Sequence, residues 1–108
     1  MSAKKLSEEL ERDCLFCKIV AGKIPSTKVY EDKNVFAFLT IKPERAGHLL
    51  VVPKKHYKNI VDCPNNVLNE IFNAIRIITK DMKSFKIIQN NNEPFQEIFH
   101  LHFHIIPW

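Results

Sequence analysis

The sequence predicts an α+β fold, a mostly antiparallel sheet with one principal helix covering a face. Three observations carry the prediction. Short apolar runs bounded by turn residues recur along the chain, two of them separated only by Asp32-Lys33, and a single longer stripe of apolar residues at helical spacing runs from Val67 to Met82. At 108 residues the chain is one domain's worth of polypeptide.

In order along the chain, residues 4–13 read as a short polar helix. From Cys14 the apolar residues Leu15, Phe16, Ile19 and Val20 keep a helical spacing that ends at Gly22, and Pro25 forbids continuation. Residues 27–31 and 34–40 read as a hairpin, the second strand alternating Val35, Ala37 and Leu39 against Phe36 and Phe38. Residues 43–47 make a loop, and residues 48–52 an apolar strand closed by Pro53. Asp62-Cys63-Pro64 opens the main helix, with proline in the first turn where its missing N–H does no harm. Val67, Leu68, Ile71, Phe72, Ile75, Ile78 and Met82 form its sheet-facing stripe. Residues 85–88 and 98–107 are the last strand-like runs, with a polar loop over 89–96 between them.

Composition narrows the function. Gly22 and Gly47 are the only glycines, which excludes the glycine-rich dinucleotide and Walker-type phosphate loops and the G-x-S-x-G nucleophile elbow. Sixteen Lys and Arg against twelve Asp and Glu leave a formal +4, a mild bias toward anionic ligands and short of the dense basic stripe of a nucleic-acid binder. No apolar run suits a membrane or a secretory signal, and three cysteines, an odd number, fit a reducing compartment, so the expected location is cytoplasmic, with neither membrane nor nucleic acid as partner.

His100, His102 and His104 alternate with Leu101 and Phe103. Successive strand side chains point to opposite faces, so the three imidazoles share one face while Phe99, Leu101, Phe103 and Ile105 share the other. Neighbouring imidazoles would be about 6.5 to 7 Å apart along a strand, close enough to surround one phosphate or one metal. Two chemistries suit such a face: a three-histidine metal site with an open position, or a nucleophilic imidazole flanked by donors. Cys14-x-x-Cys17 has the spacing of a metal-ligand pair but needs two more ligands, and two thiols packed in a helix is the alternative. Cys63 matches no pattern and reads as a partly buried bystander.

The run HLHFHII resembles the His-φ-His-φ-His-φ-φ motif (φ apolar) of the histidine-triad (HIT) superfamily. CLFCKIVAGKIPSTKVYED, VFAFLTIKPERAGHLLVVPKKH and IIQNNNEPFQEIFH agree with the family in order and spacing, so the resemblance covers residues 14–108 and leaves residues 1–13 as an N-terminal helical extension. It implies a HIT-like fold, a five-stranded antiparallel sheet with one main helix and a short N-terminal helix, in a homodimer that joins two sheets. The branch it implies is that of small purine-nucleoside phosphoramidases, which release a nucleoside monophosphate such as AMP.

By this resemblance His102 attacks the α-phosphorus to give a nucleotidyl-histidine, with its tautomer fixed by the backbone carbonyl of His100. His104 and His48 serve the phosphoryl oxygens or the leaving group, without a catalytic metal. Cys14, Cys17, His56 and His100 would form a structural zinc site. Phe16, Ile19, Phe38 and Ile41 fall where the family clamps the base, although ordinary core packing fits each as well. Thr40 stands where the family has a ribose-binding aspartate, and one neutral hydrogen bond in place of a charge-assisted pair costs on the order of 1 to 2 kcal/mol. Gln89, Gln96, Glu97 and Ile98 fall in the phosphate loop, which here lacks both family glycines. Asn91 can take the left-handed conformation such a loop needs, and Phe95 only with strain. Two other activities are compatible with this pattern: hydrolysis of dinucleoside polyphosphates, or nucleotide binding and scaffolding with little turnover.

Overall fold

The computed structural model describes residues 13–108. The helix read over 4–13 and the extension over 1–13 therefore lie, apart from Asp13, outside the described residues. The elements are α1 (Leu15–Val20), β1 (Lys28–Glu31), β2 (Val35–Leu39), β3 (Leu49–Pro53), α2 (Asn65–Thr79), β4 (Phe85–Ile88) and β5 (Phe103–Pro107). The five strands form one sheet in the order β1-β2-β3-β5-β4, and every neighbouring pair is antiparallel.

Local chemistry sets the short elements. The sulfur of Cys14 caps α1 by accepting from the Cys17 N–H at 3.4 Å. The helix closes on a Schellman turn, with Gly22 N–H donating to Ile19 O and Lys23 N–H to Lys18 O, while Gly22 takes φ +77°. In the β1–β2 hairpin the Asp32 carboxylate accepts from the Asn34 and Val35 N–H groups and from the Tyr30 hydroxyl. α2 starts one residue later than the sequence suggests: Pro64 is the N-cap rather than a first-turn residue, because its ψ of 150° is extended.

The sheet separates two cores. On one face Val35, Ala37, Leu49, Val51, Leu101, Phe103 and Ile105 meet Ile71, Ala74 and Ile75 of α2. Met82, expected on the helical stripe, lies beyond the helix end yet packs against this core, as does Cys63, which is buried rather than half-exposed. On the other face Phe36, Phe38, Leu50 and Val52 meet Cys14, Phe16 and Ile19. β2 and β3 are covered on both sides by this arrangement, which is why their apolar residues are nearly continuous.

The last strand is shorter than its apolar pattern. The ladder begins at Phe103, and in the preceding residues the Leu101 N–H bonds to Tyr57 O at 2.7 Å. Phe99 does not join the core face; it is 37% exposed, with Lys58 Nζ 5.4 Å from its ring. Among the described residues no helix is long and apolar enough to cross a membrane.

Candidate functional site

A cavity of about 970 Å³ opens on the sheet face opposite α2, within the size range of small-molecule sites. His48, just ahead of β3, and His102 and His104, at the start of β5, line it. His100 does not: its ring is fully buried behind Phe16, 5.9 Å between centroids. The triad thus divides between a cavity and a second cluster.

Backbone partners fix the tautomers of His102 and His48, and His48 in turn fixes that of His104. His102 Nδ1 lies 2.7 Å from His100 O, a carbonyl that can only accept, so Nδ1 carries the proton and Nε2 keeps its lone pair. The Glu44 N–H donates to His48 Nδ1 at 3.1 Å, which places the His48 proton on Nε2. That Nε2–H donates to His104 Nδ1 at 3.0 Å, and the His104 proton therefore sits on Nε2 as a free donor. The His102 and His104 rings are 5.1 Å apart and nearly perpendicular, so a bare lone pair and an N–H stand side by side at the cavity.

Electrostatics keep these rings neutral. Burial pulls the His102 proton affinity below the ordinary histidine value, against the opposing bond to His100 O and the charge of Glu97. Burial, with the charges of His102 and His48 adding to it, pushes His104 down to about 4, while Glu44 opposes. His48 is lowered by burial, opposed by Glu44 and assisted by Lys86. A neutral imidazole is the form that can attack phosphorus.

Of the expected ligand contacts, Phe16, Ile19, Phe38, Thr40, Ile41, Glu97 and Ile98 line the cavity. Ile41 stands at the rim, 91% exposed, and Thr40 Oγ1 accepts from the Lys42 N–H, leaving its own hydroxyl proton to offer. Gln89 and Gln96 do not line it. Gln89 exchanges amide hydrogen bonds with Asn91, and the buried Gln96 donates to Lys58 O and Ile98 O while accepting from the Asn92 N–H. Both amides are spent holding the loop, which is also tied to the 57–62 segment through Asn59–Asn92 and through the Ile60 N–H to Asn91. The left-handed residue in this loop is Asn92, at φ 63°, not Asn91, and Phe95 needs no positive φ; it is 69% exposed at the cavity. Sequence reasoning missed the roles of Glu44 and Pro53, because each acts through its backbone.

Behind the cavity, Cys14, Cys17, His56 and His100 bring four ligand atoms within 4.8 Å of one another. His100 Nε2–H donates to Pro53 O at 2.8 Å, which turns the bare Nδ1 toward Cys14 Sγ at 3.2 Å and Cys17 Sγ at 3.4 Å. His56 Nδ1 lies 3.4 Å from Cys17 Sγ. Edges of a tetrahedral zinc centre with Zn–S near 2.3 Å and Zn–N near 2.0 Å are about 3.5 Å, so the cluster suits such an ion in donor type and in spacing. Burial, with the His56 and His102 charges adding to it, takes His100 down to about 4 against the bond to Pro53 O, which keeps the Nδ1 that faces the sulfurs unprotonated.

The family model described as the HIT domain matches residues 21–108. An uncharacterized HIT-like protein of Methanocaldococcus jannaschii is 43% identical over 100 residues, covering 87% of this chain and 78% of its own. An adenosine 5′-monophosphoramidase of Saccharomyces cerevisiae is 40% identical over 101 residues, covering 91% of this chain and 64% of its own. The crystal structure of a HIT family protein from Bacillus anthracis superposes with a TM-score of 0.83 at 38% identity, over 88% of this chain and 72% of that one. The family model, the sequence identities and the superposition agree, and the chain belongs to the HIT domain family.

Proposed function

We propose that the protein hydrolyses nucleoside 5′-phosphoramidates through a nucleotidyl intermediate on His102. The observation that carries this reading is the pair of opposite roles at the cavity: the His102 Nε2 lone pair, set free by the 2.7 Å bond at Nδ1, beside the Nε2–H of His104. His102 Nε2 forms a bond to phosphorus and the P–N bond breaks, the amine leaving with a proton drawn from solvent while the His104 Nε2–H donates a hydrogen bond to a phosphoryl oxygen. Water then adds to phosphorus, its hydroxyl replacing the P–Nε2 bond and its proton going to solvent. Phe16, Ile19 and Phe38 supply apolar walls for a base, and the activity named for the yeast relative is of this class.

The Cys14, Cys17, His56 and His100 cluster would hold a structural zinc ion, which ties α1 to β3 and to the triad segment. Two copies would pair along β4, one of the two edge strands of the sheet, where Phe85 and Ile87 are 39% and 46% exposed.

A second reading, nucleotide binding with little turnover, is favoured by one observation: Gln89 and Gln96 are bonded within their loop and cannot also reach a phosphate. Incubation with adenosine 5′-phosphoramidate, followed by chromatography and by mass spectrometry of protein quenched in denaturant at alkaline pH, where a nucleotidyl-histidine survives, separates the two. AMP release and a nucleotidyl adduct that both vanish in a folded His102→Ala variant support the hydrolase; tight AMP binding without release supports the second reading.

A further inference from the structure

His102 stands one residue ahead of the paired part of β5. The β5 ladder starts at Phe103, and upstream of it the backbone tie is the Leu101 N–H to Tyr57 O bond. Two neighbours of His102 come from outside the ladder. One is the His100 carbonyl at 2.7 Å, and the other is the Phe16 ring, which stands edge-on to His102 with centroids 5.0 Å apart and 81° between planes.

One of these neighbours belongs to the Cys14, Cys17, His56 and His100 cluster and the other lies between two of its members. Phe16 sits inside the Cys14–Cys17 turn, and His100 is itself the ligand whose Nδ1 faces both sulfurs. α1, which carries Phe16, has six residues, far below the length at which a helix is stable alone, so it depends on what anchors it. The bare Nδ1 of His100 lies 3.2 Å from Cys14 Sγ and 3.4 Å from Cys17 Sγ. A cation held there would turn these contacts into bonds and would fix the Phe16 turn and residue 100 relative to each other.

We propose that the Cys14, Cys17, His56 and His100 cluster, when it holds its metal, positions His102 for attack through the Phe16 ring and the His100 carbonyl. Phe16 and His100 are in this sense positioning residues, and the cluster extends its effect beyond the stability of the fold. His102 has the role of nucleophile from the reading above, but its tautomer exists whether or not a substrate turns over.

Long-range ¹⁵N–¹H NMR of histidine-labelled protein at fixed neutral pH reads that tautomer directly. In zinc-loaded wild type, His102 is expected to show the single pattern of an Nδ1–H imidazole. In His56→Ala, which removes the ligand farthest from His102 in role, the pattern is expected to average toward both tautomers while His48 and His104 keep theirs. His56→Cys, which restores a four-ligand set, is expected to restore the single pattern. An unchanged His102 pattern in folded, metal-free His56→Ala overturns the coupling. If circular dichroism shows His56→Ala to be unfolded, cadmium replaces zinc in the wild type; the larger ion is expected to shift the His102 signals more than those of His48 or His104, and equal positions overturn the coupling. Because the readout needs no substrate, it can fail while the phosphoramidase assay succeeds, and the reverse.

Discussion

Acidification from about pH 7.5 to about pH 4.5 is expected to weaken the fold through His104, a ring held neutral between other charges. Burial takes it from 6.5 to about 4, His102 and His48 add to that, and Glu44 opposes. The hydrogen bonds give a further reason. A proton added at His104 Nδ1 would face the His48 Nε2–H, and one added at His48 Nδ1 would face the Glu44 N–H. The unfolded ring takes up its proton near 6.5 and the folded ring only near 4, so the unfolded state binds more protons between those values. Stability is therefore full above that window, falls as the pH drops through it and loses nothing more below it. At about 1.4 kcal/mol per pH unit the separation converts to about 3 kcal/mol, and solvent screening at this half-buried ring leaves about 1 to 2 kcal/mol. Urea unfolding followed by circular dichroism at stepped pH measures it, with His104→Gln as the companion so that the acid sensitivity of the cysteine–histidine cluster cancels in the difference. Wild type should lose about 1 to 2 kcal/mol more than the variant across the window. Parallel pH profiles for the two proteins would refute the reasoning.

Gly47→Ala should cost about 1 to 2 kcal/mol in urea unfolding, because Gly47 has φ +85° and an added Cβ would stand 3.3 Å from Pro107 Cγ. Gly22→Ala, at φ +77° with nothing within 4 Å, should cost about 1 kcal/mol, so a larger loss at Gly22 than at Gly47 would count against the packing account. Ile71→Ala, at a fully buried position between α2 and the sheet, should lower stability by about 2 to 5 kcal/mol on the same measurement. Gln96→Ala leaves the Asn92 N–H and two carbonyls without their partner, so a loss of about 1 to 3 kcal/mol and faster proteolysis within residues 89–97 are expected; unchanged cleavage would show that the loop is held by other bonds.

What the sequence reveals and what it hides follow physical lines. The continuous apolar run from Val35 to Leu39 and the stripe through Ile71 and Ile75 announce their elements, the first because both faces of its strand are buried and the second because burial on one face of a helix imposes a period that can be counted. The same alternation across His100, Leu101 and His102 places side chains on the expected faces, yet overstates the strand, since a period reports facing and says nothing of ladder hydrogen bonds. Cys14 and Cys17 show the spacing of a ligand pair, whereas His56 and His100 are joined to them only by tertiary folding and entered through resemblance to a family. The amides of Gln89 and Gln96 are invisible as loop ties because their partners are backbone atoms of Lys58 and Ile98 and the side chain of Asn91. For the same reason the proton order from Glu44 through His48 to His104 cannot be read from residue types.

The two-sided sheet assigns opposite demands to alternate letters of the sequence. In β2, β3 and the run into β5, the even positions 36, 38, 50, 52, 102 and 104 face the cavity side, and the odd positions 35, 37, 49, 51, 101, 103 and 105 face α2. Substitution at even positions can therefore redraw what the cavity accepts while the helix-side packing stays intact, and selection can act on the two sets almost independently. Insertion or deletion of a single residue inside one of these strands has no such freedom. It exchanges the sets, turning His102 and His104 toward α2 and Leu101, Phe103 and Ile105 toward the ligand when it falls in the last run, so ligand choice in this architecture can drift by replacement but not by a change of length within the central strands.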